Sequence, residues 1–316
     1  MLFFSPRWFR HWLLNLSLIL GAAAVFADDP DPTLRLLFVG DVMLDNGPGH
    51  LISHGTDPFA PCASLLASAD LTIANLECVV GQEGDPLYKP YIFRAAPESP
   101  PFLRKHFDAV SLANNHSFDF GIDGFLDSLR LLKAHSIPYF GGGYQLREAR
   151  EPWVVTCKGR KIGLLGYNEF RAENYAATEN SAGNAPLIEA DVLADIRRAR
   201  ESLGCEIVVP FLHWGEELEA TPRPDQTQLA RKMIEAGATA VMGTHPHVTQ
   251  TIEYHRGAPI VYSLGNFVFD YYPGDPRVWT GWVVTLKIAP DGQVELDKTV
   301  VELDLLGVPH IVGQQP

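Results

Sequence analysis

The sequence predicts an α/β fold, and three observations predict it. Short apolar runs rich in Val, Ile and Leu recur along the chain, amphipathic segments lie between them, and polar clusters close run after run. Runs of about 4–8 apolar residues read as strands buried on both faces. Strands alternating with helical segments imply a sheet with helices packed on its faces.

The elements follow in order. Residues 1–27 stand apart: Arg7 and Arg10 precede an apolar stretch over 13–26, and small residues end it at Ala27. That is the pattern of a secretory signal cleaved after Ala27, and the stretch is short of the ~20 residues a bilayer span needs. The expectation is a domain over 28–316, secreted across the inner membrane into the periplasm or cell envelope. The first three strands are "LRLLFVGD" (34–41), "LTIANLE" (71–77) and "DAVSLANNH" (108–116). A helix is expected over 124–137, where apolar residues recur at spacings of three and four. Next come strand "KIGLLGYNE" (161–169), a helix over 190–204 and strand "EIVVPFLHWG" (206–215). A third helix, 224–237, is opened by Pro224 and closed by Gly237. Strands "ATAVMGTHPH" (238–247) and "PIVYSLGNF" (259–267) follow, then a loop at "YYPGDP" (271–276). The tail, 281–305, alternates around "PDG" as a hairpin that completes a sheet.

Composition narrows the function. Two of the 25 basic residues and none of the 38 acidic ones lie in the signal, so its removal takes the net charge from −13 to −15. No basic footprint for nucleic acid is present. Cys62, Cys78, Cys157 and Cys205 are too sparse for a disulfide scaffold and suit buried sites, so no bridge is expected. No heptad pattern indicates an oligomer.

Open α/β sheets bind ligands beyond the carboxyl ends of their strands. At those ends stand Asp41, Glu77, Asn115 with His116, His213, and His245 with His247. Singly each has an ordinary role: Asp41 as a cap, Asn115 in a left-handed turn. Together they are the donor types of a Zn, Mn or Fe site. A carboxylate shared between two such ions serves hydrolysis of phosphates and amides.

The motifs "GDVML", "NLE", "YIFRAAPE", "VSLANNHSFDFG", "HWGEE", "GTHPHVTQ" and "YSLGNFVFD" resemble, in order, those of the CapA family of poly-gamma-glutamate capsule synthesis proteins, over residues 34–290. That family is similar to the calcineurin-like metallophosphatases. The resemblance implies a four-layer α/β/β/α sandwich with one or two divalent ions. It also implies an anionic polymer or phosphoester substrate and a membrane capsule synthetase as partner. Carried over by position, it implies that Asp41 and His247 hold the first ion, that Asn115, His213 and His245 hold the second, and that Glu77 bridges them. His116 becomes the acid near the leaving group. One departure stands out. The parent pattern has histidine two residues after its first aspartate, where this chain has Met43; a thioether is too soft for such a site, so Met43 reads as packing.

Supporting residues come from the same motifs. Asn75, Asn114 and Asn266 offer amides around the ligands, or equally turn chemistry, and Asn114 is also a substrate contact. Trp214 is expected to wall the pocket, and Glu216 or Asp119 to receive a histidine's second N–H. Lys89, Arg94 and Arg171 supply positive charge in an acidic chain. Arg94 is expected as a bidentate clamp for carboxylate or phosphate, the other reading being a solvated or ion-paired arginine. Two functions fit: a metal-dependent phosphoesterase-like hydrolase of capsule synthesis, or a non-catalytic polymer-binding or export factor that keeps the metal site.

With Met43 excluded, the first site has fewer donors than the second. Titration of the metal-free protein is expected to show the second site filling more tightly; two ions bound with equal affinity would contradict this assignment.

Overall fold

Leu36, Phe38 and Ile73 face Leu164, Val209, Phe211 and Met242 across an apolar layer between two sheets, with Phe38 edge-on to Phe211 at 5.8 Å between ring centroids. The computed structural model describes residues 31–270 and 274–315, so the expected signal at 1–27 and part of the 271–276 loop lie outside the described residues.

The first sheet begins with parallel strands β1 (Leu34–Val42), β2 (Leu71–Leu76), β3 (Ala109–Ser111) and β4 (Tyr139–Phe140), adjacent in that order. The chain then crosses to a second sheet. Its strands are β5 (Trp153–Cys157), β6 (Arg160–Asn168), β7 (Ile207–His213), β8 (Val241–Thr244), β9 (Ile252–His255) and β10 (Ala258–Val261). Their order is β9-β10-β8-β7-β6-β5, with β6, β7, β8 and β10 parallel. The chain returns through β11 (Asn266–Val268), which lies parallel to β1. The C-terminal hairpin β12 (Thr280–Ile288) and β13 (Val294–Leu303) pairs antiparallel with the free side of β1 and, with β14 (Pro309–Gln315), extends the first sheet.

The helices covering the outer faces include α1 (Gly121–Ala134) on the first sheet, and α2 (Glu189–Glu201) and α3 (Pro224–Glu235) on the second. Their ends lie within three residues of the expected spans. Leu37, Val39 and Val110 pack against Phe125, Leu129 and Leu132 of α1. Val208 and Leu212 pack against Val192 and Ile196 of α2 and Met233 of α3. The layers are therefore helix, sheet, sheet, helix, the α/β/β/α sandwich. Side chains alternate along a strand, so each strand buries one set of residues between the sheets and the other under helices.

The third expected strand is shorter than its apolar run. It stops at Ser111 because Asn114 Oδ1 accepts from the His116 N–H (3.1 Å) and from Ser117 Oγ (3.0 Å), a local bonding pattern that competes with the ladder. All four cysteines are free thiols, and burial pushes Cys62 up to about 11 and Cys78 up to about 12. Among the described residues no helix is long and apolar enough to cross a membrane.

Two glycines let the strand ends approach closely. A Cβ on Gly40 would meet Gly265 O at 1.8 Å, and one on Gly243 would meet Tyr262 O at 2.1 Å. Each precedes residues named above, Asp41 and the His245–His247 segment. Gly40→Ala or Gly243→Ala is expected to cost about 1–3 kcal/mol through overpacking, read as a lower denaturant midpoint at unchanged slope; an unchanged midpoint would contradict the close approach.

Candidate metal centre

The parallel strands of both sheets end at one rim, and Glu77 lies at its centre. Just past β2 its N–H donates to Val42 O (2.8 Å). The side chain is fully buried and, among the described residues, neither carboxylate oxygen has a hydrogen-bond partner. Burial first, then the charge of Asp41, pushes its carboxyl well above the ordinary range. Its Oε1 faces imidazoles: His213 Nε2 at 3.3 Å, His247 Nε2 at 3.9 Å and His116 Nε2 at 4.0 Å.

Alternation along β7 delivers His213. Ile207, Val209 and Phe211 point between the sheets, and His213 continues that series at the strand's end. Its Nε2 lies 2.9 Å from Asn115 Oδ1 and 3.1 Å from His245 Nδ1. Its Nδ1 is 3.2 Å from Asn75 Nδ2 and 3.1 Å from Thr244 Oγ1. Burial holds this ring neutral, pushing it down to about 3. His245 is likewise lowered, by burial and then by His213. Around one point, then, stand two neutral imidazole nitrogens, an amide oxygen and an unbonded carboxylate oxygen. A tetrahedral cation with bonds of ~2.0–2.2 Å sets its donors ~3.3–3.6 Å apart, close to the spacing here, so the residues fit a divalent ion.

A second group adjoins it: Asp41, Glu77 and His247, with donor atoms within 4.8 Å of one another. Asp41 Oδ1 accepts from Asn75 Nδ2 (2.8 Å), and Oδ2 accepts from the His245 N–H (3.3 Å) and lies 3.4 Å from His247 Nδ1. Burial opposes the Asp41 charge, but His247, His213 and Asn75 outweigh it and hold the carboxyl below its ordinary value. His247 is correspondingly raised: burial works against its charge and Asp41 overcomes it. Asn266 Oδ1 sits 2.9 Å from His247 Nδ1, leaving Nε2 toward Glu77. Both histidines of "THPH" have positive φ, 97° at His245 and 57° at His247. Such angles recur at ligand sites as well as in turns, and here they aim both rings at the same rim.

His116 is oriented from behind. Its Nδ1 bonds Asp119 Oδ2 (2.7 Å), and Asp119 accepts from the Phe93 N–H (2.7 Å) and pairs with Lys89. Lys89 Nζ also donates to Asn115 O (3.0 Å), tying this relay to the Asn115 loop.

Some expectations need correction. Arg94 is no free clamp: its guanidinium donates to the carbonyls of Gln82, Glu83 and Gly84 and lies 3.4 Å from the Phe120 ring centroid. Trp214 walls no pocket. It is one step past His213, so alternation turns it to the helix side, where Nε1 donates to Tyr262 O (3.0 Å). The aromatics at the rim include Phe170, Phe93 and Phe269, whose centroids lie 3.9, 4.5 and 4.9 Å from those of His245, His116 and His247. Asn114 is fully buried and donates to Asn75 Oδ1 (3.1 Å) and Leu76 O (2.9 Å), out of reach of a substrate. Glu216 pairs with Arg223, not with a histidine. Met43, by contrast, is buried as expected, its Sδ accepting from the Asp45 N–H (3.1 Å). Sequence reasoning missed Glu217, which the structure groups with His245 and His247; its signal was the second glutamate of "HWGEE".

Comparison with known proteins agrees with this architecture. The family model described as "Bacterial capsule synthesis protein PGA_cap" matches residues 35–271. The PGA biosynthesis protein CapA of Bacillus subtilis is 32% identical over 283 residues, covering 86% of this chain and 72% of that protein. The capsule biosynthesis protein CapA of Bacillus anthracis is 30% identical over 281 residues, covering 86% and 67%. Among solved structures, the calcineurin-like phosphoesterase YfkN from Bacillus subtilis matches with a TM-score of 0.53 at 16% identity, over 90% of this chain and 93% of its own, a likeness of fold.

Because His213 and His245 are held neutral and Glu77 is raised, a cation entering among them would displace a proton from Glu77. The sign follows. A raised carboxyl contributes its stability to the metal-free protein below the unfolded value and loses it as pH climbs through the folded one, whereas a cation replaces the proton. Binding and the accompanying gain in melting temperature are therefore expected to strengthen as pH rises above the ordinary glutamate range. Calorimetry in buffers of different ionisation enthalpy should show about one proton released per ion at the tighter site; pH-independent binding without proton release would contradict the assignment.

Proposed function

The chain belongs to the family of bacterial capsule synthesis proteins denoted PGA_cap, and from that premise we propose that it is an exported, metal-dependent hydrolase of capsule synthesis. Its substrate would be poly-gamma-glutamate or a related anionic polymer, or a phosphoester formed in its assembly, and its partner a membrane synthetase. Arg7, Arg10 and the apolar stretch that follows them support the reading of export to the periplasm or cell envelope.

The observation that carries the chemistry is Glu77, fully buried with both oxygens unbonded among three histidines. Asp41, Glu77 and His247 would hold one ion and Glu77, Asn115, His213 and His245 the other. Bound there, Mn, Zn or Fe would supply Lewis acidity toward a carbonyl or phosphoryl oxygen. The chain's own groups do the rest. His116 Nε2 faces Glu77 while its Nδ1 is anchored on Asp119; burial lowers its pKa, so Nε2 would first take up a proton and, with Asp119 behind the charged ring, would then give it to the leaving atom. Lys89 offsets the Asp119 charge and fixes the Asn115 loop. Asn75 fixes Asp41, and Asn266 fixes His247.

With Mn²⁺ present, His116→Ala is expected to lower hydrolysis of a phosphodiester or of poly-gamma-glutamate by ~10²–10⁴-fold, with bound metal unchanged. Should the wild type cleave neither while binding the polymer, the polymer-handling role replaces the enzymatic one.

A further inference from the structure

We propose that Glu217 supplies the ligand that the first metal position lacks at Met43, closing that position from the solvent side. The inference rests on the metal-centre reading above and names a residue which that reading does not use.

The placement is built. Glu217 is exposed, yet its carboxylate and the ring nitrogens of buried His245 and His247 all lie within 4.8 Å of one another. Among the described residues no cationic side chain pairs with it, whereas its neighbour Glu216 bonds Arg223 Nη1 at 3.0 Å. The loop carrying it is fixed on both sides. The Gly215 N–H donates to Glu169 Oε2 (2.7 Å), and the Leu218 N–H donates to Pro246 O (2.9 Å), between the two histidines. Leu218 O accepts from Arg277 Nη2 (2.8 Å), and Glu219 O from Gln250 Nε2 (2.8 Å). Leu218 is held at φ 63°, a conformation a leucine adopts only under such restraint. Glu77 and Glu217 thus approach the same two histidines, one from the buried interior and one from solvent.

Charge and chemistry agree. Met43 offers no hard donor, so the first position has Asp41, Glu77 and His247 alone; a glutamate oxygen is a suitable fourth donor for Mn²⁺ or Zn²⁺. Asp41, Glu77 and Glu217 are three carboxylates. Two divalent cations would still outweigh them by one positive charge, enough to attract an anionic substrate.

The test uses Mn²⁺ alone as probe, with calorimetric and ion-counting titrations of the metal-free full chain as wild type, Glu217→Gln and Glu216→Gln. The expected result is that Glu217→Gln weakens the weaker of two binding steps at least about tenfold and leaves the tighter one within roughly twofold, while Glu216→Gln changes neither. An unchanged weaker step, a loss at the tighter step, or an equal loss in Glu216→Gln would overturn the proposal. A wild type that binds no Mn²⁺ would sink the metal-centre reading itself, a result distinct from any of these.

Discussion

A carboxylate taken out of water without a hydrogen bond is among the costliest things a fold can contain, and Glu77 is one. Transfer of an ionised carboxylate into a low-dielectric interior is penalised so heavily that the group takes up a proton or finds a cation. The rest of the rim is arranged around that constraint. Burial keeps His213 and His245 neutral, so they cannot neutralise Glu77, and the charge favoured on His247 is matched to Asp41. Gly40 and Gly243 accept near-contact with carbonyls so that Asp41 and the histidine segment come within reach. His245 and His247 take strained backbone angles. A divalent ion bound there would offset the desolvation of Glu77.

The two-sheet design makes this geometry possible. Each parallel strand of the inner layers ends at the same rim, so residues distant in sequence meet without a long connecting loop. β1 and β2 deliver Asp41 and Glu77 from one sheet, while β7 and β8 deliver His213 and the His245–His247 segment from the other. The apolar layer between the sheets fixes their separation, which makes the distance from Glu77 to His213 a property of core packing.

Much of this was legible in the sequence because it is periodic or terminal. Val, Ile and Leu runs give strands, Pro224 and Gly237 bracket a helix, and polar residues at strand ends give the ligands. What was not legible depends on direction and company. Trp214 and His213 are adjacent, and only the alternation set by β7 sends one under the helices and the other to the rim. Arg94 carries the right charge for a clamp, but the carbonyls of residues 82–84, brought close by the fold, take its donors. β5 and β9 are edge strands with partly exposed side chains, so their pattern lacks the continuous apolar signal of β1 or β7. Glu217 sits in a surface loop where an acidic residue is ordinary; its nearness to His245 and His247 is a tertiary fact.

A cation beside Glu77 would explain why it is buried unbonded. An anomalous difference map from crystals of the protein grown with Mn²⁺ tests that most directly. A peak is expected within bonding distance of Glu77 together with His213 and His245. A well-ordered rim with no peak there, or with ions bound elsewhere while Glu77 stays clear of them, would contradict it.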